Sequence, residues 1–398
     1  MEQVLYKLPD GWEWSNLTDI CTPSRKTVEP NPEEQYNYIG LENIESHTGK
    51  VISDSPTKGS EISSTKVSFK KGMVLYGKLR PYLNKVVVAK IDGIATTEII
   101  PFECSDAISP DFLAYYLRSQ YFVDLAMNNS SGARMPRATT KLFTQIAKVP
   151  VTSITEQKRI VEKLDALLTR IDSAIEHLQE SVTLADSLYA STINEQMMQA
   201  IELAGLSTVE KHIEQIQTGT TPPTKQPEFY ENGDINWFAP SDFGDHDILS
   251  DSNKKLSQKA FDAGKARKFD AGTIMLVAIG ATIGKIGYLE QNASSNQQIT
   301  GMKFNSDIIP RYAYYWFRFI KPEILANAST ATLPIINQKG IKALSFCAPN
   351  KQLQETICKE IDEVSNFRNT VKTELNEKVE LMRSLKASIL DSAFKGEL

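Results

Sequence analysis

The chain has 398 residues, 41% of them hydrophobic and 23% charged, with a formal net charge of −5. That length exceeds the usual single hydrophobic core and points to two or three domains, while the composition excludes a disordered chain and a uniformly basic nucleic-acid binder. The four cysteines (Cys21, Cys104, Cys347, Cys358) and four histidines (His47, His177, His212, His246) stand singly, which excludes disulfide and zinc frameworks. The opening MEQVLYKLPDGWEW has no basic-then-apolar targeting pattern, and apolar runs such as Ile274 to Ile279 are too short to span a bilayer. A cytoplasmic protein without membrane contact is expected.

In chain order, the first informative stretch is FKKGMVLYGKLRPYLNKVVVA from Phe69, which predicts strand, turn, strand. No acid occurs between Glu61 and Asp92, while Lys66, Lys70, Lys71, Lys78, Arg80, Lys85 and Lys90 fall inside. With no carboxylate nearby in sequence, Lys70, Lys71, Lys78, Arg80, Tyr82 and Lys85 are candidate phosphate or base contacts, the bland alternative being a solvated face. A second acid-free tract from Leu125 to Thr155 holds Arg134 and Arg137 on either side of Met135-Pro136 in a polar loop. Arginine is the best bidentate reader of guanine, so both are candidate base contacts.

Ser153 followed by Glu156 predicts a helix start, and Gly205 a stop. Between them Ile160, Leu164, Leu167, Ile171, Ile175, Leu178, Val182, Ala185 and Leu188 form one apolar stripe. In the second half, TGTTPPTK contributes Thr220 and Thr221. Ser241, Asp242, Lys285, Asn296, Gln297 and Gln298 add the mixed donors and acceptors that base edges require, against a structural alternative for each. Trp237, Tyr315 and Trp316 sit in apolar surroundings and read as core. VAIGATIGKIGYL, Val277 to Leu289, is no phosphate loop: three residues rather than four separate Gly280 from Gly284-Lys285, and Ile286 follows. A last stripe, Ile357, Ile361, Val364, Val371, Leu375, Val379, Met382, Leu385 and Ile389, is interrupted by Arg368.

The chain is written twice. A shift of 200 lays Phe69 over Phe269, Gly72 over Gly272, Lys85 over Lys285, Tyr115 over Tyr315 and Arg118 over Arg318; a shift of 197 pairs Asp165 with Asp362 and Leu188 with Leu385. Arg80 and Asn84 then occupy the places of Gly280 and Gly284, so the glycines are turn chemistry. Each copy is an α/β globule followed by a helix of about 40 residues, roughly 60 Å long, and the two helices are expected to pair as an antiparallel coiled coil.

LPDGWEWSNLTDI, YIGLENIESHTGKV, GMVLYGKLRPYLNKV, SGARMPR and ITEQKRIVEKLDALLTRID in the first copy carry a family resemblance. So do TGTTPPTKQPEFYENGDINWFAPSDF, GTIMLVAIGATIGKIG, NQQI and LKASILDSAFKGEL in the second. Over essentially the whole chain the sequence resembles the specificity subunit of a Type I restriction-modification enzyme; LQETI at Leu353 departs from a second EQxxI. The resemblance implies target recognition domains at 1–152 and 205–350, a central helical spacer at 153–204 and a C-terminal helix at 351–398. Each domain would read one half of a split double-stranded DNA target. The helices would set the spacing and dock two adenine methyltransferase subunits, joined by restriction/translocase subunits. No catalysis and no cofactor are expected in this chain, S-adenosylmethionine, ATP and magnesium belonging to the partners. The residues agree, because the Pro-Pro in Thr221-Pro222-Pro223-Thr224 lacks the Asn/Asp and aromatic of an amino-methyltransferase loop. Alternatives are a subunit of a methylation-only complex, a coiled-coil adaptor, and a stand-alone nucleotide-using enzyme.

Overall fold

The sequence repeat is realised as one strand order in the antiparallel sheet of each of two units of a computed structural model that describes residues 3–52, 56–244, 248–329 and 333–398. One unit comprises residues 1–179 and 376–398, the other 180–375. In the first, the strands are β1 (Cys21–Pro23), β2 (Thr27–Val28), β3 (Tyr38–Ile39), β4 (Lys66–Phe69), β5 (Val74–Gly77), β6 (Val86–Val88), β7 (Gly93–Ala95) and β8 (Ile99–Cys104), with a short hairpin β9 (Ser130–Ser131) and β10 (Arg137–Ala138). One antiparallel sheet runs β1-β8-β5-β6, and a mixed one runs β2-β4-β7-β3, with β3 parallel to β7. The second unit uses β11 (Ile213–Thr218), β12 (Ile235–Phe238), β13 (Lys255–Leu256), β14 (Ile274–Val277), β15 (Ile286–Tyr288), β16 (Ser294–Ser295) and β17 (Ile299–Phe304). Its sheets run β11-β17-β14-β15 and β13-β12-β16, again with one parallel pair, β12 with β16.

Strands β5 and β14 are buried along their whole length because each feeds two cores, alternate side chains pointing to opposite faces. Val74 and Tyr76 pack with the helical layer, including α1 (Pro110–Arg118), while Leu75 packs with Ile39, Phe69 and Ala95 of the mixed sheet. Ile274 and Leu276 likewise pack with α2 (Pro310–Phe319), and Met275 and Val277 with Phe238, Leu249 and Phe269. The turn that follows each strand has the same left-handed residues: Arg80 (φ 52°) and Asn84 (φ 51°) in one copy, Gly280 (φ 106°) and Gly284 (φ 83°) in the other. Glycine adopts that conformation without a Cβ penalty, so the glycines of VAIGATIGKIG answer a backbone demand. Trp237, Tyr315 and Trp316 are buried as the sequence predicts. Cys21, Cys347 and Cys358 are buried too, Cys104 is partly so, and all four are free thiols. Burial pushes Cys21 up to about 12 and Cys104 to about 11, which keeps both protonated.

Each unit is completed by two long helices. The first, Ile154–Ala204, starts where the Ser153 hydroxyl accepts from the Glu156 N–H at 3.3 Å and ends at Gly205 (φ 74°). The second spans Lys351–Phe394. Gln157, in the first turn of one, is fully buried and binds three backbone groups: it accepts from Ser109 N–H at 2.8 Å and donates to Ala107 and Thr152 carbonyls at 2.9 and 2.8 Å. Gln354 repeats this with Ile309 N–H at 2.8 Å and the Asp307 and Pro349 carbonyls at 3.0 and 2.7 Å. LQETI therefore keeps the glutamine that matters in EQKRI. Both units also tie the globule to the helix through the same bond, Tyr115 to Asp165 and Tyr315 to Asp362.

Within the first unit Arg159 donates to the Leu398 carbonyl and Lys386 pairs with Asp172; within the second Asp186 meets Arg368 and Lys372, and Ala200 accepts from Cys347. Rising numbers on one helix meet falling numbers on the other, so the pairing is antiparallel. Three stripe positions depart from the sequence expectation. Leu168 rather than Leu167 and Tyr189 rather than Leu188 are buried, and Leu385 is exposed. Steps of three and four accumulate to the 3.6 residues of a straight helix, one ahead of a 3.5 repeat after several turns. Arg368 does not interrupt the packing either: it is buried, its guanidinium pairs with Asp186 and lies 5.0 Å over the Tyr189 ring.

Asp186 is partly desolvated, yet its bonds to Arg368 and Lys372 hold its carboxyl below the usual range. A carboxylate with a lowered folded pKa contributes stability above its unfolded value, near 4, which is lost as pH falls through the folded one. Asp186→Asn should therefore lower stability at pH 7 by about 1–3 kcal/mol, a figure reduced because the aspartate is partly exposed. Urea titrations should show the deficit shrinking on acidification below pH about 4. A deficit independent of pH would assign the loss to packing.

Candidate nucleic-acid interface

The backbone brings two of the sequence-predicted clusters together in each unit. In the first, Arg80 N–H donates to the Pro136 carbonyl at 2.6 Å, Ala138 N–H to the Lys78 carbonyl at 2.9 Å, and Leu79 bridges Arg137. The turn after β5 and the hairpin tip at 132–136 thus form one face, carrying Lys78, Arg80, Tyr82, Arg134 and Arg137. Tyr82 and Met135 are exposed, 43% and 51%, between these cations. Apolar surface flanked by arginine suits sugar and base contact better than bulk water. Arg80 is held in the left-handed region, and its buried Nε meets no hydrogen-bond acceptor. The left-handed conformation is the one that the same turn demands of Gly280, so Arg80 keeps a charged side chain there at a conformational cost that glycine would avoid.

The second unit repeats the frame with different side chains. Gly280 N–H donates to the Pro334 carbonyl at 3.0 Å, Ile336 N–H to the Ala278 carbonyl at 3.0 Å, and Ile279 bridges Ile335. Parallel pairing of β12 with β16 brings the start of the 296–298 segment to the end of β12, where Asn296 N–H donates to the Phe238 carbonyl at 2.9 Å. Thr220 N–H donates to the Ser295 carbonyl at 2.9 Å, and the Thr221 hydroxyl bonds Gln297. Thr220, Thr221 and the segment from 296 to 298 therefore share one edge, and Ser241 follows β12.

Other candidates are used internally. Lys85 Nζ donates to the Leu41 carbonyl at 2.6 Å and Lys285 Nζ to the Phe243 carbonyl at 2.8 Å, the same tie in both copies. Asp242 accepts from Ala239 N–H at 2.7 Å and from Asn253. Lys70 and Lys71 sit before β5, at the other end from Lys78, and are not brought to the loop face. Lys66 is no surface cation: it is buried, its Nζ donates to the Ser64 carbonyl at 2.8 Å, and burial lowers its pKa. Arg137 has a carboxylate partner despite its acid-free tract, forking onto Glu98 with two bonds of 2.9 Å. Sequence reading missed the first unit's counterparts of the 296–298 edge, Thr96 to Glu98, although the shift of 200 points straight at them. Among the described residues no His/Cys/Asp/Glu group is placed to hold a metal ion, and His246 lies outside them. No described helix is long and apolar enough to cross a membrane.

Two copies of one backbone frame, presenting different side chains on an equivalent loop face, define a duplicated recognition scaffold. Residues 9–184 and 211–381 match the family described as Type I restriction modification DNA specificity domain, and the chain belongs to that family. It is a DNA-recognition, non-catalytic specificity subunit of the Type I restriction-modification class. It is 22% identical over 433 residues to the StySPI specificity subunit of Salmonella potsdam, covering 98% of this chain and 90% of that one. The EcoDI specificity subunit of Escherichia coli is 26% identical over 189 residues, 48% of this chain and 42%, under half, of that protein. A solved chain from work on complex assembly and conformational transition of the type I R-M system shares the fold with a TM-score of 0.80, at 21% identity, over 99% of this chain and 100% of that one. The HsdS subunit from Thermoanaerobacter tengcongensis gives a TM-score of 0.55, at 21% identity and 99% coverage of both.

Proposed function

We propose that each unit reads one half of a bipartite double-stranded DNA target through its loop face. The long helices then set the spacing of the halves and dock two adenine methyltransferase subunits, which restriction/translocase subunits join. S-adenosylmethionine, ATP and magnesium are held by those partners. The observation that carries the reading is the repeated backbone frame with divergent side chains: cations and Tyr82 on one face, hydroxyls and amides on the other. Exposed Leu184 and Leu188 on the first long helix, and Phe367 and Leu381 on the second, support protein docking along the helices. The proposed DNA contacts are Lys78, Arg80, Tyr82, Arg134 and Arg137 in the first unit, and Thr220, Thr221, Ser241, Gln297 and Gln298 in the second, where buried Asn296 instead braces Gln298 through bonds of 3.1 and 3.0 Å.

Salt titration of the assembled complex on duplex DNA tests the face. Lys78→Ala and Arg134→Ala should each weaken binding and lower the slope of log K against log salt by about one for every phosphate that is no longer neutralised. Lys70→Ala and Lys71→Ala should leave the slope unchanged. The reverse pattern would move the DNA to the opposite end of β5.

A further inference from the structure

Glu98 lies just past the acid-free tract that ends at Asp92 and has no counterpart charge in the second unit, where Gln298 takes its place under the shift of 200. Its carboxylate receives Arg137 Nε and Nη2 at 2.9 Å each. Both residues are anchored by backbone: the Glu98 carbonyl accepts from Lys78 N–H at 2.9 Å, and Arg137 belongs to β10 and bridges Leu79. The Arg137 side chain is still 50% exposed and that of Glu98 26%.

An ion pair this exposed contributes little to folding. Its geometry does something else. A guanidinium has two edges that can grip a pair of acceptors, and a carboxylate on the Nε/Nη2 edge fixes the plane while leaving the Nη1/Nη2 edge to other acceptors. That edge matches the O6 and N7 acceptors of guanine. In the second unit the corresponding pair is Gln298 and Ile335 on the same frame, which cannot form a fork. The difference between the copies is thus confined to chemistry at equivalent positions, as expected where two units read different bases.

We propose that Glu98 is a positioning residue that locks Arg137 as the reader of a guanine in the half-target of the first unit; this rests on the reading that the loop face meets DNA. Immobilising the arginine in advance removes an ordering cost that binding would otherwise bear. Glu98 also places a negative charge at the DNA face, so its two effects oppose: it weakens binding to any duplex and sharpens the choice among sequences.

The test uses the assembled complex, a target defined by mapping methylated adenines, and duplexes carrying single G·C to A·T changes through the half-target. Arg137→Ala should reduce the preference for one G·C pair by about tenfold or more. Glu98→Gln should reduce preference at that same pair by about fivefold, while affinity for unrelated duplex holds or rises. The double variant should be no worse than Arg137→Ala, since Glu98 acts through the arginine. Unchanged preference in Glu98→Gln, loss at a different pair, or losses that add in the double variant would overturn the proposal. So would a joint fall in specific and unrelated binding, which marks a structural role only. If Arg80→Ala or Arg134→Ala alters base preference while Glu98→Gln does not, the face reading stands and the Glu98 proposal falls. If no variant of the face alters any position, the face reading falls too.

Discussion

Replacing residues 207–352 with the corresponding segment of a relative is expected to change one half of the methylated sequence completely and leave the other half as it was. The segment carries every strand of the second unit, the turn at 278–285 and the edge at 296–298, while the first unit's core is built from residues 1–179 and 376–398. A new globule must pack on Tyr189, Ile193, Met197 and Ala200 of one helix and on Ile357 and Ile361 of the other, which remain in place. Cores tolerate apolar exchange when volume and patterning are kept, so assembly should survive. Gln354, also outside the exchanged segment, still closes the loops that precede the helix. Genome-wide mapping of methylated adenines reads the result directly. A change in both halves would sink the proposal that each unit reads by itself.

A large stability loss from a single polar substitution is expected at Gln157. Leucine is close to glutamine in size, so Gln157→Leu leaves no great void. It instead strands the Ser109 N–H and the Ala107 and Thr152 carbonyls, all bonded to this fully buried amide. A buried group left without a partner costs about 1–3 kcal/mol, and because Ser109 and Thr152 are half-buried and Ala107 exposed, water recovers part of that, so a total loss of about 2–3 kcal/mol is expected. Gln354→Leu should cost the second unit a similar amount. The measurement is the denaturant midpoint of the transition belonging to the altered unit. A loss below about 1 kcal/mol in either case would show that water replaces the amide's bonds.

The side chains that depart from the sequence expectation share one cause. Charge along the chain is not charge in space: Lys66 lies in an acid-free tract yet is buried against carbonyls, and Arg137 lies in another yet forks onto Glu98, 39 positions away. Lys85 and Lys285 align across the copies because both brace a loop of their own unit, and the match alone cannot separate that role from nucleic-acid contact. The buried line on the long helices also drifts from the sequence expectation at Leu168 and Tyr189, since the period that decides burial belongs to a helix already packed.

By itself the sequence determined the duplication, the strand-turn-strand with its turn glycines at 280 and 284, the two long helices, and the family. All of these follow from local chemistry, namely apolar period, turn glycines and capping residues, or from matching the chain to itself. Only the tertiary structure decided that Lys66, Lys85 and Lys285 are spent on carbonyls of their own unit, that Arg368 is a buried partner of Asp186, and that Glu98 grips Arg137. Those depend on distances between residues tens of positions apart, and an ionic or hydrogen-bonding group is spent or available according to what the fold sets within about 3 Å of it.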